Sequence, residues 1–275
     1  MIPTGVLGLG LIGAIWAHHL NDDGWLCAAW NRTPKPDFPH WKATPPEVAR
    51  AADALIICVS DPAAVSSVLD PLIPQLEPRH TVIQCSTIDP DSSTRFEARV
   101  RARGAAYLEA PFTGSVPGAE SRTTVFYLGG DAATAARVQP VIDRLSKQQF
   151  RSNTGAQAAA FKLASNLAIA VQSAVLCESL ALARSNGLSD QQFFDLLRIS
   201  MAWSPVAKIK EPKLRANDYS AQFAVRHMLK DMRLARDSGF APLPMCEAVI
   251  RQLEAAMDRG WADQDYAILI KLLGE

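Results

Sequence analysis

The chain lacks an excess of charge of either sign, and that absence removes whole classes of partner. Its 28 Lys plus Arg residues balance 28 Asp plus Glu residues, which leaves no electrostatic footprint for nucleic acid or an anionic membrane. The densest basic stretch, Arg198 to Arg215, includes Glu211 and reads as a solvated helix face. Cysteine is scarce: Cys27, Cys58, Cys85, Cys177 and Cys246 are odd in number, widely spaced and mostly set in apolar runs. They read as reduced core thiols of a cytoplasmic protein rather than a disulfide framework. Of the five histidines only His18 and His19 are close in sequence; adjacent helix positions point apart, so no metal site is expected. No positively charged leader precedes the first apolar run, so no signal peptide is expected. The most apolar long segment, Leu163 to Ala183, is interrupted by Asn166, Gln172 and Glu178, and reads as a buried helix rather than a membrane span. There is no internal repeat and no low-complexity linker.

What is present is a chain of 275 residues, long enough for two domains or one large one. It is organised around Gly8-Leu9-Gly10-Leu11-Ile12-Gly13, which follows a short apolar run from Met1 to Leu7 and opens into Ala14 to Leu20. A G-x-G-x-x-G turn between a strand and a helix lets backbone approach a pyrophosphate while the helix N-terminus faces its charge. The hexapeptide alone could be a mere tight turn. Its placement argues for dinucleotide binding, because a second apolar run, Trp25 to Trp30, ends at Asn31-Arg32-Thr33, where such a unit meets the adenosine ribose.

The prolines of Thr33 to Pro46 predict an irregular crossover ending in a short helix, Glu47 to Ala51. Strands are expected at Ala54 to Val59, Thr81 to Cys85, Ala106 to Ala110 and Thr123 to Leu128. Helices are expected at Ala63 to Asp70, from Asp89-Pro90 to about Arg103, and at Ala132 to Leu145, with a polar loop after Thr113-Gly114-Ser115. This alternation predicts a doubly wound, mostly parallel α/β sheet of the Rossmann type over residues 1–154. From 155 strand signals vanish, which predicts an all-helical domain over 155–275 that begins with a long alanine-rich helix, Ala156 to Ser185. Asp190 to Ile199, opened by a Ser189/Gln192 capping box, follows. Further helices are expected at Pro205 to Ala216 with a possible break at Pro212, Ala224 to Asp237, Pro244 to Arg259 and Asp265 to Leu273.

Arg32 stands where an acidic residue would hydrogen-bond the ribose hydroxyls of NAD, and its guanidinium suits a 2′-phosphate, which favours NADPH. A surface arginine is the alternative. Lys162 and Asn166 lie one helical turn apart on one face of the long helix; on pattern alone Lys162 could equally be a side chain snorkelling to solvent. By the same pattern Lys230-Asp231 reads as a solvated charged face.

Taken together these motifs resemble the β-hydroxyacid dehydrogenases, a family that includes 3-hydroxyisobutyrate dehydrogenase and the glyoxylate and succinic semialdehyde reductases. Its cofactor motif looks like Gly8 to Gly13 with Asn31-Arg32-Thr33, and its substrate motif is similar to Glu109-Ala110-Pro111-Phe112-Thr113-Gly114. Its Lys-x-x-x-Asn and Lys-Asp motifs match Lys162/Asn166 and Lys230/Asp231. The resemblance implies that Thr87, with backbone near Val59 and Ser60, contacts the nicotinamide side of the cofactor. It further implies that Thr113, Gly114 and Ser115 bind a substrate carboxylate, that Lys162 is the acid/base, that Asn166 orients substrate, and that Lys230 with Asp231 closes over cofactor or substrate. An NADPH-dependent reductase of small carboxylated aldehydes is the reading it favours. An imine reductase of the same fold, or a non-catalytic NADP-binding module, is the alternative, and the presence of Lys162 argues against both.

Several positions depart from the family pattern. The proline-rich segment after Thr33 is shorter, Ser115 and Arg122 stand where glycines are usual, and Ala156 and Ala158 replace glycines before Lys162. Arg122 either adds an anion contact that narrows the substrate range or is a solvated loop arginine. The alanine-rich faces of the long helix predict a homodimer or homotetramer.

Overall fold

Short runs that are apolar on both faces build the sheet. In the computed structural model, which describes residues 1–239 and 241–274, β1 (Thr4–Leu7), β2 (Leu26–Trp30), β3 (Ala54–Ile57), β4 (Thr81–Gln84) and β5 (Ala106–Glu109) run parallel in the order β2-β1-β3-β4-β5. Every residue of β1, β3 and β4 is buried, as strands covered on both faces require. Beyond β5, the two-residue β6 (Phe112–Thr113) pairs antiparallel with β7 (Thr124–Gly129), and β8 (Ser146–Ser152) pairs with β7 in parallel. The order reverses direction at β1, between β2 and β3, which is the switch point where ligands of open α/β sheets bind.

Helices pack on both faces. On one, Trp16 and Leu20 of α1 (Leu11–Asp22) share a core with Ile83, Leu108 and Phe126 of the sheet. On the other, Val48 of α2 (Pro45–Ala51), Val65 of α3 (Pro62–Leu72) and Phe96 of α4 (Pro90–Arg101) cover Leu55, Ile57 and Val82. Next come α5 (Ser115–Glu120) and α6 (Ala132–Ile142), the latter closing the first face through Val138 and Val141. Aspartates start three of these helices by accepting from the backbone N–H three residues on: Asp61 from Ala64 at 2.8 Å, Asp89 from Ser92 and Asp131 from Thr134 at 2.7 Å.

The chain divides into two compact units, Met1–Lys162 and Leu163–Glu275, so the division falls within the long helix α7 (Gly155–Ser185) rather than at its start. The second unit is helical: α8 (Asp190–Arg198), α9 (Pro205–Ala216), α10 (Val225–Asp237) and α11 (Pro244–Asp258). Its core gathers Leu176, Leu180, Phe194, Leu214, Met228, Met232, Ile250 and Leu253. Pro212 sits inside α9 without ending it, and Tyr266–Leu273 is a 3₁₀ helix rather than an α-helix.

The basic stretch from Arg198 to Arg215 is only in part the solvated face its composition suggests: Arg198, Lys208 and Arg215 are exposed, whereas Lys210 and Lys213 are not. Lys210 is buried, pairs with the fully buried Asp265 at 2.6 Å and stands 4.0 Å from the centre of the Tyr266 ring. Lys213 donates to the Ser220 carbonyl at 2.6 Å, and Arg198 and Arg215 both reach Glu211. Each buried charge, Lys210, Glu211 and Lys213, is matched by a partner, which is what makes its burial tolerable.

Candidate active site

The glycine-rich turn carries its glycines for different reasons. Gly8 has φ +107, and a Cβ there would lie 2.2 Å from the Cys58 carbonyl oxygen; at Gly13 a Cβ would lie 2.0 Å from the Gly8 carbonyl oxygen. Both are required by the close packing of β1, β3 and α1 on one another. A Cβ on Gly10 would meet nothing within 4 Å, and Gly10 begins α1 without a side-chain cap. The chain therefore leaves an open backbone cradle at a helix N-terminus on the switch point, which fits a dinucleotide pyrophosphate.

Asn31, at the end of β2, is bound to this turn: its Oδ1 accepts from the Leu9 N–H at 2.9 Å. Lys35 donates to the Leu9 carbonyl at 2.8 Å, so the proline-rich segment brings a second cation to the same edge as the exposed Arg32. Lys35 carries no sequence signal of its own, because the irregular segment gives no period from which its direction could be read. On the neighbouring strands, Val59 donates its N–H to Ser86 Oγ at 2.9 Å, and half-buried Thr87 follows directly. The exposed Ser60 hydroxyl donates to Asp61 at 2.6 Å, supporting the cap of α3.

Thr113 ends β6, opposite Val125 of β7, and Gly114 (φ +134) and Ser115 (φ +48) turn the chain into α5. That turn is held near α1, since Trp16 packs edge-on to Phe112 at 4.7 Å between ring centres. Arg122 is placed elsewhere. Its guanidinium forks onto Asp23 at the end of α1, at 2.7 and 3.1 Å, and Arg144 reaches the same carboxylate at 2.9 Å. The expected anion contact from Arg122 is thus replaced by an internal ion pair, and the Arg122 hydrogen bonds hold the Asp23 carboxyl below the usual carboxylate range. Arg122 also has φ +56, a conformation that explains why a glycine suits this position.

In the helical unit Asn166, Lys230 and Asp231 come together. The Asn166 amide donates to Asp231 Oδ2 at 2.6 Å, and Lys230 Nζ lies 2.6 Å from the other carboxylate oxygen. Asp231 is 1% exposed and sits on the packed side of α10 with Met228 and Met232. The Lys230-Asp231 pair is therefore no solvated face; the buried carboxylate is matched by a cation and an amide. Lys162, also buried, precedes Asn166 by one turn of α7 on the same face.

Two family models together span the chain: the NAD-binding domain of 6-phosphogluconate dehydrogenase matches residues 3–155, and the NAD-binding domain of NADP-dependent 3-hydroxyisobutyrate dehydrogenase matches residues 156–273. The chain belongs to the β-hydroxyacid dehydrogenase family. As a β-hydroxyacid dehydrogenase it is an NAD(P)-dependent oxidoreductase acting on CH–OH groups. It is similar to glyoxylate/succinic semialdehyde reductase 1 of Arabidopsis thaliana, 29% identical over 98% of each chain. It is also similar to an NAD-dependent L-serine dehydrogenase of Pseudomonas aeruginosa, 28% identical over 74% of this chain and 72% of that one. Its fold superimposes on a 3-hydroxyisobutyrate dehydrogenase of Mycobacterium tuberculosis solved with L-serine, with a TM-score of 0.91 and 25% identity over the whole of both chains.

Proposed function

We propose that this β-hydroxyacid dehydrogenase works as an NADPH-dependent reductase of small carboxylated aldehydes, with glyoxylate and succinic semialdehyde as the first candidates. The observation that carries the reading is the Asn166–Asp231–Lys230 cluster, in which Asn166 of the apolar helix α7, one turn after Lys162, meets the buried Asp231 of α10. The similarity to the Arabidopsis reductase over nearly the full chain supports the substrate class. Arg32, with Lys35 beside the glycine turn and no acidic residue at the end of β2, supports NADPH.

Bound NADPH supplies the hydride. As hydride reaches a carbonyl carbon, negative charge grows on oxygen; the Lys162 ammonium stabilises that charge and donates the proton that completes the alcohol. Asp231 holds the Asn166 amide in one orientation, so that Asn166 can position substrate. The Thr113 hydroxyl with the Gly114 and Ser115 backbone binds the substrate carboxylate.

The test is NADPH oxidation by the pure protein with glyoxylate, succinic semialdehyde and a cyclic imine, beside Lys162→Met and with NADH as control. Lys162→Met is expected to lower kcat by roughly 10²–10⁴ while NADPH binds as before. Tight NADPH binding with neither aldehyde reduced would overturn the reading, and reduction of the imine alone would replace it with imine reduction. We also propose a homodimer or homotetramer, supported by exposed Phe161, Val175 and Leu182, spaced by whole heptads along α7. A light-scattering mass of one chain would contradict that.

A further inference from the structure

Glu109 opens the segment that ends in Thr113-Gly114, yet its side chain points into the first unit and is fully buried, held by neutral donors. One carboxyl oxygen accepts from Gln84 Nε2 at 2.7 Å; the other accepts from the Ser93 and Tyr107 hydroxyls, each at 2.7 Å. Gln84, Ser93 and Tyr107 are themselves fully buried. The Gln84 amide is used twice more. It donates to the Ser86 carbonyl at 2.9 Å and accepts from the Ser86 N–H at 2.6 Å, which closes a two-bond ring on that residue's own backbone. Ser86 Oγ in turn accepts from the Val59 N–H at 2.9 Å. The network thus runs from β5 through β4 to the end of β3, and terminates at the two residues, Val59 and Thr87's neighbour Ser86, that flank the expected nicotinamide position.

The same carboxyl underlies the start of α7. A Cβ on Gly155 would lie 2.7 Å from Ser93 Oγ and 3.1 Å from Glu109 Cβ, and a Cβ on Gly129 would lie 2.9 Å from the Gly155 Cα. The first turn of α7 is therefore seated directly on the Glu109–Ser93 pair, with no side chain between them. Lys162 follows two turns later, about 10 Å along the same helix at ~1.5 Å per residue.

We propose that Glu109 is a positioning residue: its buried carboxyl fixes the nicotinamide-side loops through Gln84 and Ser86, and seats the first turn of the helix that carries Lys162. This rests on the reductase reading for what is being positioned, but not for the network itself. A buried polar network of this kind is rigid only when every member is satisfied, so cutting it anywhere should loosen the same atoms. The titratable groups around Glu109 are Tyr107 on its own strand, Cys85 at the end of β4 and Glu97 on α4. Burial pushes the Tyr107 and Cys85 groups well up and raises Glu109 to about 8. With Glu109 raised to about 8, its carboxyl keeps a proton at pH 7 and the Ser93 or Tyr107 hydroxyl turns to accept it; glutamine is the isostere of that form, and the amide introduced by Glu109→Gln would donate to the same hydroxyls.

The experiment compares Glu109→Ala, Glu109→Gln, Gln84→Met and the Glu109→Ala/Gln84→Met double variant. Three quantities are read: the dissociation constant of 2′-phospho-ADP-ribose, which has no nicotinamide; the fluorescence enhancement of bound NADPH, which does; and kcat with glyoxylate. Glu109→Ala and Gln84→Met are expected to bind 2′-phospho-ADP-ribose within about twofold of the parent, to lose at least about half of the NADPH enhancement, and to drop kcat at least about tenfold with KM within about threefold. The double variant should lose no more than the worse single one. Glu109→Gln should restore most of both signals at pH 7, and should lack the change in enhancement expected of the parent between pH 7 and 9. Equal losses in 2′-phospho-ADP-ribose binding and NADPH enhancement, additive losses in the double variant, or a Glu109→Gln variant as impaired as Glu109→Ala would each overturn the proposal. If no aldehyde is reduced by the parent, the reductase reading fails while the two binding signals still decide the role of Glu109.

Discussion

Two alanine substitutions within one hexapeptide should separate folding from cofactor binding. At Gly13 the added methyl would sit 2.0 Å from the Gly8 carbonyl oxygen and 3.2 Å from its carbon, so backbone, not a side chain, must move. Overpacking of this kind costs about 1–3 kcal/mol, and a clash with two rigid elements belongs at the upper end. At roughly 2–4 °C per kcal/mol for a chain of this size, Gly13→Ala should melt about 6–12 °C lower. At Gly10 the methyl meets nothing, and φ −73 is ordinary for alanine. The substitution gains about 0.4–1 kcal/mol by restricting the unfolded chain and loses about 0.5–1.5 kcal/mol because alanine is the poorer residue at a helix start. The two nearly cancel, so the melting temperature should stay within about 4 °C. The methyl does, however, occupy the space a pyrophosphate needs. NADPH affinity, read by fluorescence titration, should fall at least about tenfold, which is about 1.4 kcal/mol. A Gly10→Ala variant that binds NADPH as tightly as the parent would refute the placement of the pyrophosphate. A Gly13→Ala variant of unchanged stability would refute the packing argument.

Three other outcomes follow from particular contacts. Arg32→Ala and Lys35→Ala should each narrow the preference for NADPH over NADH, Arg32→Ala by roughly tenfold through loss of a charge-assisted contact, and a ratio of kcat/KM values unchanged in both variants would argue against NADPH selection at this edge. Arg122→Met should leave KM for glyoxylate and succinic semialdehyde unchanged, because its guanidinium is spent on Asp23; partial exposure limits the stability loss to below about 1 kcal/mol. Urea unfolding against pH should report Glu109, whose folded value near 8 lies above the ordinary 4.5. Between these values the unfolded carboxyl has lost its proton and the folded one keeps it, so stability falls as pH rises from 4.5 to about 8 and levels above; Glu109→Gln should remove that slope.

The parallel half of the sheet is legible because strands buried on both faces read as unbroken apolar runs, and because Asp89-Pro90 announces α4 at its first residues. The rest of the first unit is not. β8, Ser-Lys-Gln-Gln-Phe-Arg-Ser, has only one residue buried of seven, so it has no hydrophobic face to show; backbone pairing with β7 makes it a strand. β6 is two residues long, and α5 contains Pro117 and Gly118 within six residues, which propensity reads as loop. Contacts with α1, such as Trp16 on Phe112 and the His19 ring on the Ala119 carbonyl at 3.0 Å, hold them in place. The 3₁₀ form of Tyr266–Leu273 has a similar origin, since all of Tyr266 to Ile270 is buried and no polar face exists to set an α-helical period.

For the site, spacing revealed what lies on one element and missed what is made between elements. Lys162 and Asn166 could be placed on one helical face because the period fixes that alone. Asp231 could not be read correctly, since its charge looks like a solvated residue until Asn166, 65 positions away, is seen to donate to it. The same blindness covers Lys210 with Asp265, Arg122 with Asp23, and Glu109 with Gln84 and Ser93. A charged residue in an apolar surround carries no mark of its partner, whereas its burial is tolerated only if the partner exists. Sequence therefore tends to assign such residues either to solvent or to a ligand, whereas the structure gives each an internal partner: Asp231 is buried against Asn166 and Lys230, and Arg122 is paired with Asp23. The positions that do remain open toward a ligand are those where the chain spends no side chain at all, Gly10 above the rest, because an empty cradle costs the fold nothing and a filled one would serve only packing.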